Sequence, residues 1–381
     1  MKDILVIGGG KIGSVVAELL ADTPEAGGYR VTVADRSAAV LAAPRAGFER
    51  DAQAATQHRP PRLSTLLLDA ADPAQLTAAL RGRFAVLSAA PFHLTLRVAQ
   101  AARAAGVHYL DLTEDVASTR AIRALAEGAR TAFIPQCGLA PGFIAIVAAD
   151  LARQFDSLDS VRMRVGALPA YPSNALNYNL TWSTEGVINE YCEPCEAIVD
   201  GHLCSVPALE EREEFSLDGV LYEAFNTSGG LGTLCETLAG KVRTLNYRTI
   251  RYPGHAAIMK ALLHDLRLKD RRDVLKDILE RALPATMQDV VIVFVTVAGQ
   301  RDGRLMQETY VRKVYSQVLA GKVHSAIQIT TASSLCAMLD LLASGALPQH
   351  GFVKQEDVAL AAFLGNRFGR VYRAEALAHA A

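Results

Sequence analysis

The strongest constraint on this chain is packed into its opening residues. Residues 3–7 read as a short buried strand, and Gly8-Gly9-Gly10-Lys11-Ile12-Gly13 follows at once, ahead of a helical stretch over residues 14–20. Gly8, Gly10 and Gly13 fall on the pattern G-x-G-x-x-G. The first allows a tight turn, the second lets a pyrophosphate approach the backbone, and the third lets helix and strand pack closely. With Lys11 and Ile12 between them, the start of the helix offers free N–H groups to phosphate. A second strand, residues 30–34, ends at Asp35, twenty-two residues beyond Gly13. An acidic residue there is placed to bind the hydroxyls of an adenosine ribose. Strand, glycine turn, helix, strand and acid together predict a dinucleotide-binding α/β domain. Asp35 favours NAD, because its carboxylate repels a 2′-phosphate. Arg36 could stack on adenine or partly neutralise that repulsion, so NADP stays possible.

The alternation continues. Strands are expected over residues 64–68, 84–89, 108–112 and 131–135, with helices over 73–80 and 94–105. In a doubly wound parallel sheet the carboxyl ends of the strands line the ligand crevice. That places Asp69, the stretch 89–93 with Ala90, Pro91 and His93, the stretch 111–115 with Asp111 and Glu114, and the stretch 136–142 on one cleft. Asp69 reads equally as a helix cap. Gly138 and Pro141 belong to Gly138-Leu139-Ala140-Pro141-Gly142, whose amides could hold a nicotinamide amide or a substrate carboxylate, or merely start a helix.

After a helix over residues 143–155 the period changes to that of strands: 161–168, 241–252, 290–299 and 308–318, the last two flanking a loop at 299–303. Helices are expected over 255–266, 271–282 and 327–343. The chain is therefore read as a dinucleotide-binding domain (1–142), an α+β substrate and dimerisation domain (143–325), and C-terminal helices (326–381) returning to the first domain. On the strand 241–252, Arg248 and Arg251 face opposite sides, so at most one enters a given pocket. Arg248 is the candidate for holding a carboxylate bidentately, the alternative being a surface ion pair. His255 is either a proton shuttle or a helix-start histidine without a role. The glycine-rich run at 227–233 is expected to line a pocket.

Thirty-nine basic residues stand against forty acidic ones, interspersed, which argues against a nucleic-acid partner. No apolar run is expected to span a membrane, and the first strand starts too early to leave room for a secretory signal, so a cytoplasmic protein is expected. Six cysteines are too few for a disulfide framework. Cys192, Cys195, Cys204 and His202 have loose zinc-like spacing but no second tight pair; reduced thiols and no metal are expected.

Several segments together resemble the saccharopine dehydrogenase family, and within it the bacterial L-lysine 6-dehydrogenases. They are the glycine turn at 8–13, Tyr109-Leu110-Asp111-Leu112-Thr113-Glu114-Asp115, the 138–142 segment, Trp182-Ser183-Thr184-Glu185-Gly186, Thr227-Ser228-Gly229-Gly230 and the stretch 245–255. The resemblance runs from residue 1 to about residue 365. It implies a Rossmann-type oxidoreductase that removes the lysine 6-amino group with NAD. The products would be allysine, which cyclises to Δ1-piperideine-6-carboxylate, NADH and ammonia. Such a site must bind a neutral amine, by desolvation or by a base. Asp111, Glu114 and His93 are the candidates for amine binding and proton transfer. Arg248 would hold the α-carboxylate, with Asn177, Trp182 and Thr227 shaping the pocket and His255 nearby. Saccharopine or carboxynorspermidine are the alternative substrates on the same scaffold, and a non-catalytic nucleotide sensor is the competing class. The β-rich second domain suggests a homodimer.

Overall fold

The computed structural model describes residues 1–24, 27–42, 62–319 and 321–373. The chain divides into two compact units, Met1–Phe143 with Thr331–Val358, and Ile144–Thr330 with Ala359–Ala381.

The first unit is built on a parallel sheet. Its strands are β1 (Lys2–Ile7), β2 (Tyr29–Asp35), β3 (Leu63–Leu67), β4 (Ala85–Ser88), β5 (His108–Asp111) and β6 (Ala132–Ile134), in the order β6-β5-β4-β1-β2-β3. The short strand Gly351–Phe352 adds to the β6 edge, also in parallel. Leu5, Val6, Val31, Val33, Val86 and Leu87 are all fully buried. That is the near-continuous apolar run a parallel strand needs when helices cover both its faces. The helices are α1 (Gly13–Ala21), α2 (Pro73–Leu80), α3 (Phe92–Ala105) and α4 (Val116–Ala126). Asp72 caps α2 by accepting from the N–H groups of Ala74 and Gln75, with Pro73 in the first turn. Gly106 closes α3 at φ +66°. Helix α4 was not expected. Its buried face is Thr119, Ile122 and Ala126, and Asp115 caps it, its carboxylate 2.6 Å from the Ser118 N–H. The order of strands reverses between β1 and β4, which is where a doubly wound sheet opens its binding crevice.

The second unit holds an eight-stranded mixed sheet. Helix α5 (Phe143–Ala152) leads into β7 (Ser157–Pro169), and helix α6 (Thr184–Cys192) precedes β8 (Cys195–Val199), β9 (His202–Val206), β10 (Glu213–Leu217) and β11 (Val220–Asn226). Then come β12 (Val242–Arg251), helix α7 (His255–Lys260), helix α8 (Arg272–Ala282), β13 (Asp289–Arg301) and β14 (Arg304–Tyr315). The sheet runs β10-β11-β12-β7-β13-β14, with β8 beside β12 and β9 beside β8. The expected β13–β14 hairpin forms, but its turn is only Asp302-Gly303, at φ +52° and +71°. Two positive φ values in a two-residue loop match the right-handed twist of the flanking strands. The same chemistry closes β8–β9 at Asp200-Gly201 and β10–β11 at Asp218-Gly219. Those four strands were not expected.

The helix expected over 255–266 is an α-helix only to Lys260 and then widens into a π turn, Ala261–Asp265. Helix α9 (Ala326–Ala343) begins under Asp289, whose carboxylate accepts from the N–H groups of Ala326 and Ile327. Contrary to expectation, α9 is long and apolar enough to cross a membrane by length and composition alone. However, 78% of it is buried within the protein, as in a core helix. The C-terminal segment also departs from its expected place. Residues 331–358 join the first unit, but the chain from Ala359 packs with the second. There the Tyr372 hydroxyl donates to the Thr330 carbonyl at 2.8 Å and its ring meets Phe363.

All six cysteines are free thiols. Among the described residues, no group of three or more His, Cys, Asp or Glu side chains is arranged to hold a metal.

Candidate active site

The glycine turn sits at the reversal point of the first sheet. At Gly8, φ is +96° and an added Cβ would lie 2.7 Å from the Ala89 carbonyl oxygen; at Gly13 it would lie 1.8 Å from the Gly8 carbonyl oxygen. At Gly10 a Cβ would meet nothing within 4 Å. The first and third glycines thus serve packing between β1, β4 and α1, while the second faces open space, as a phosphate cradle requires. Asp35 reaches back to this loop. One of its carboxylate oxygens accepts from the Gly9 N–H at 2.9 Å and the other from the Ser37 N–H at 2.8 Å. A carboxylate has about four lone-pair sites, so acceptor capacity remains for ribose hydroxyls. Arg36 and Lys11 are exposed and Ile12 is half-buried. At the end of β4, the Ser88 hydroxyl is buried without a hydrogen-bond partner among the described residues. Open space at Gly10, an acid at the end of β2 and an orphaned polar atom at the crevice fit a dinucleotide.

The other expected residues of this unit divide. Ala90 and Pro91 start α3, with the exposed His93 in its first turn. Asp69 is exposed and accepts from the Ala71 N–H, which is a turn bond. Gly138 and Pro141 are buried, and the Phe143 N–H closes the segment onto the Gly138 carbonyl. Asp111 corrects the expectation of an open catalytic carboxylate. It is 1% exposed. It accepts from the Tyr109 hydroxyl at 2.7 Å, the Gln136 N–H at 2.8 Å and the Thr113 N–H at 3.0 Å. Burial raises its pKa to about 6, against the lowering effect of those three donors. Its geometry is that of a tie between the carboxyl ends of β5 and β6. Glu114 is half-buried on the loop just beyond.

In the second unit, the two arginines of β12 exchange roles. Arg248 is gripped by Glu211 at 2.9 Å and Glu213 at 3.2 Å, and its neighbour Arg164 pairs with Glu213 as well. Both of its Nη atoms are thus paired with carboxylates, against the expected clamp, while its Nε is buried without a hydrogen-bond partner among the described residues. Arg251 lies on the opposite face and is only 2% exposed. Its Nε donates to the Tyr191 hydroxyl at 2.9 Å and its Nη1 to the Ile250 carbonyl at 2.8 Å. The guanidinium stands 5.0 Å from the Tyr178 ring centroid and 5.8 Å from that of Tyr191. Burial opposes the charge, but Tyr191, Tyr178 and Glu190 outweigh it and keep Arg251 protonated.

His255 completes this cluster and is not a shuttle. It is 1% exposed. Its Nδ1 donates to the Leu176 carbonyl at 2.9 Å, which leaves Nε2 to accept from the Tyr191 hydroxyl at 3.0 Å. Burial first, and then the Arg251 charge, lower its pKa to about 3, so the ring stays neutral near pH 7. The donors therefore run in one direction, from Arg251 to Tyr191 to His255 to the Leu176 carbonyl. Asn177, at φ +50°, follows Leu176 in a turn clamped by Asn174, whose side chain bonds the backbone of Tyr178 at both N–H and carbonyl. Trp182 is half-buried against the same apolar cluster as Tyr178 and Tyr191. Thr227 is 2% exposed, and among the described residues its hydroxyl and the Asn179 side-chain oxygen have no hydrogen-bond partner. The Ser228 N–H ties this segment to the Glu190 carbonyl at 3.1 Å.

Arg251, Tyr191, Tyr178 and Glu190 were not picked out from the sequence. One signal was available: the acidic run Glu210-Glu211-Arg212-Glu213-Glu214. It predicts that one arginine of β12 will be consumed in ion pairs, which leaves the other for the buried side.

The family model of the saccharopine dehydrogenase NADP binding domain matches residues 4–134, and that of the saccharopine dehydrogenase C-terminal domain matches residues 138–366. Among solved structures, the chain is similar to apo saccharopine dehydrogenase (L-Glu forming) from Saccharomyces cerevisiae. That match has a TM-score of 0.72 at 18% identity, over 93% of this chain and 94% of that one. An amine dehydrogenase from Mycobacterium smegmatis matches with a TM-score of 0.46 at 12% identity, over 93% and 95% of the two chains. DAP dehydrogenase of C. glutamicum, in complex with DAP, matches with a TM-score of 0.46 at 11% identity, over 99% and 97%.

Proposed function

The chain belongs to the saccharopine dehydrogenase family of NAD(P)-dependent oxidoreductases, and on that premise we propose that it oxidatively deaminates the 6-amino group of L-lysine with NAD. The observation that carries this reading is Arg251. A buried guanidinium walled by the Tyr178 and Tyr191 rings suits an anchor for one substrate carboxylate in a low-dielectric setting. In the same unit Arg164 and Arg248 are consumed by Glu211 and Glu213. One anchor suits lysine, which has a single carboxylate. Saccharopine carries a glutamate moiety with further carboxylates, each needing its own cation, and stands as the second reading.

The glycine turn and Asp35 would hold the dinucleotide, which when bound supplies the hydride acceptor. Asp35 supports NAD over NADP, because a 2′-phosphate would face a carboxylate already bound to the Gly9 and Ser37 amides. An ammonium group cannot release hydride from its carbon, so the 6-amine must lose a proton first. Asp111 is buried and held by three donors, which leaves Glu114 and His93 as the proposed acceptors. Asp111 would act through them by fixing the ends of β5 and β6. Water then adds to the iminium carbon, ammonia leaves, and the aldehyde cyclises onto the α-amine.

Arg251→Gln tests the anchor. It should raise the lysine KM by about 10- to 100-fold, the loss of one charge-assisted bond, without weakening NAD binding. Arg248→Gln should leave the lysine KM within about twofold, because Glu211 and Glu213 already take up this guanidinium. The opposite pattern would return the anchor to Arg248.

A further inference from the structure

Glu223 is buried in β11 with no solvent exposure, and its partners are unusual for a carboxylate. One oxygen accepts from the Ala256 N–H at 2.7 Å; the other accepts from the Gly254 N–H at 3.1 Å and from Arg212 at 3.3 Å. Taking a carboxylate fully out of water is costly unless every lone pair is met. Here the compensation comes mainly from the two amides that flank His255. Gly254 is held at φ +97°, a conformation that residues with a Cβ rarely adopt. Glu223 thus pins the turn that presents the His255 ring, and His255 accepts the hydrogen bond that orients the Tyr191 hydroxyl toward Arg251.

We propose that Glu223 is a positioning residue for substrate recognition, setting the direction of the Arg251 guanidinium through the Gly254 and Ala256 amides, His255 and Tyr191. The inference rests on the reading of Arg251 as the carboxylate anchor. The chain of contacts explains why the positioning group is charged. Two backbone amides converge on it from one turn, and an amide side chain has only one oxygen to offer them. In Glu223→Gln the NH2 group would face one of those N–H donors, the turn would shift, and Tyr191 would lose its fixed acceptor. Arg251 would remain present and charged but no longer held in one direction.

The test uses the intact protein, with Glu223→Gln, Tyr191→Phe and Arg251→Gln beside the wild type. Nitrogen-15 spectra report the Arg251 Nε–H and the His255 Nδ1–H directly, whatever the substrate. Steady-state rates compare L-lysine with 1,5-diaminopentane, which lacks the carboxylate. Glu223→Gln should speed solvent exchange of the Arg251 Nε–H by about tenfold or more, consistent with one weakened hydrogen bond. It should also shrink the preference for lysine over the diamine by a similar factor, acting on KM rather than kcat, with NAD binding unchanged. Tyr191→Phe should do the same. An Arg251 Nε–H signal unchanged in Glu223→Gln would overturn the positioning role. If that signal changes while Arg251→Gln leaves the lysine preference intact, the positioning survives as a structural fact and the anchor reading fails. Equal loss for lysine and the diamine in Glu223→Gln, with kcat falling as well, would reduce Glu223 to a stability residue.

Discussion

His255 and Asp111 are both buried and titratable, one in each unit, and they respond to acid in opposite senses. In the folded protein His255 protonates only near pH 3, against 6.5 for the exposed ring. Below pH 6.5 the unfolded segment therefore binds a proton that the folded one refuses, and stability is lost as pH falls through the window from 6.5 to about 3. At about pH 4.5, two pH units into that window, the loss is about 3 kcal/mol. Asp111 has its folded pKa raised from 3.8 to about 6. Between those values the folded carboxyl holds a proton that the unfolded one has released. Acidification through that window thus restores stability, by about 2 kcal/mol at about pH 4.5. The two units should diverge by about 5 kcal/mol, or between three and four decades in local opening. Hydrogen exchange resolved by peptide, corrected for the intrinsic pH dependence, measures this directly. Peptides covering β12 and α7 should lose protection as pH falls from 7 to about 4.5, while those covering β5 and the start of β6 hold or gain. His255→Phe should flatten the slope in the second unit even if its baseline drops. Protection falling in parallel in both units, or a slope that survives His255→Phe, would refute the assignment of a neutral, desolvated His255 and a partly protonated Asp111.

Two further outcomes concern the nucleotide. Asp35→Ala should weaken NAD far more than NADP, by about tenfold or more for the loss of one charged acceptor; equal weakening in titrations would remove Asp35 from the ribose site. Gly13→Ala places a Cβ 1.8 Å from the Gly8 carbonyl oxygen. It should therefore cost about 1–3 kcal/mol of overpacking and a matching fraction of nucleotide affinity, read by calorimetry and thermal unfolding.

Much of the first unit was legible because its signals are local. A glycine turn between strand and helix, an acid at the end of β2 and the capped start of α2 at Asp72-Pro73 each fix geometry within a few residues. The strands β8 to β11 were equally announced, by Asp200-Gly201 and Asp218-Gly219, but short strands with polar alternation look like loop without those turns. The substrate side was less legible for a different reason. Alternation on β12 says that Arg248 and Arg251 part company, but not which face is buried. That is settled by the acidic hairpin bearing Glu211 and Glu213, and by α6, which supplies Tyr191, both distant in sequence. Asp111 illustrates the converse. A carboxylate at a strand end reads as catalytic; the donors that meet it in the fold, the Tyr109 hydroxyl and the N–H groups of Thr113 and Gln136, leave no signal in the sequence.

The most direct test of the central claim is turnover by the wild-type protein at alkaline pH with L-lysine against saccharopine, each with NAD and NADP. NADH formation would be followed together with the released nitrogen product. The account predicts NADH and ammonia in equal amounts from lysine with NAD, and little with NADP. Turnover confined to saccharopine, with glutamate released in place of ammonia, would contradict the substrate drawn from the buried Arg251 while leaving the fold and the nucleotide site as described.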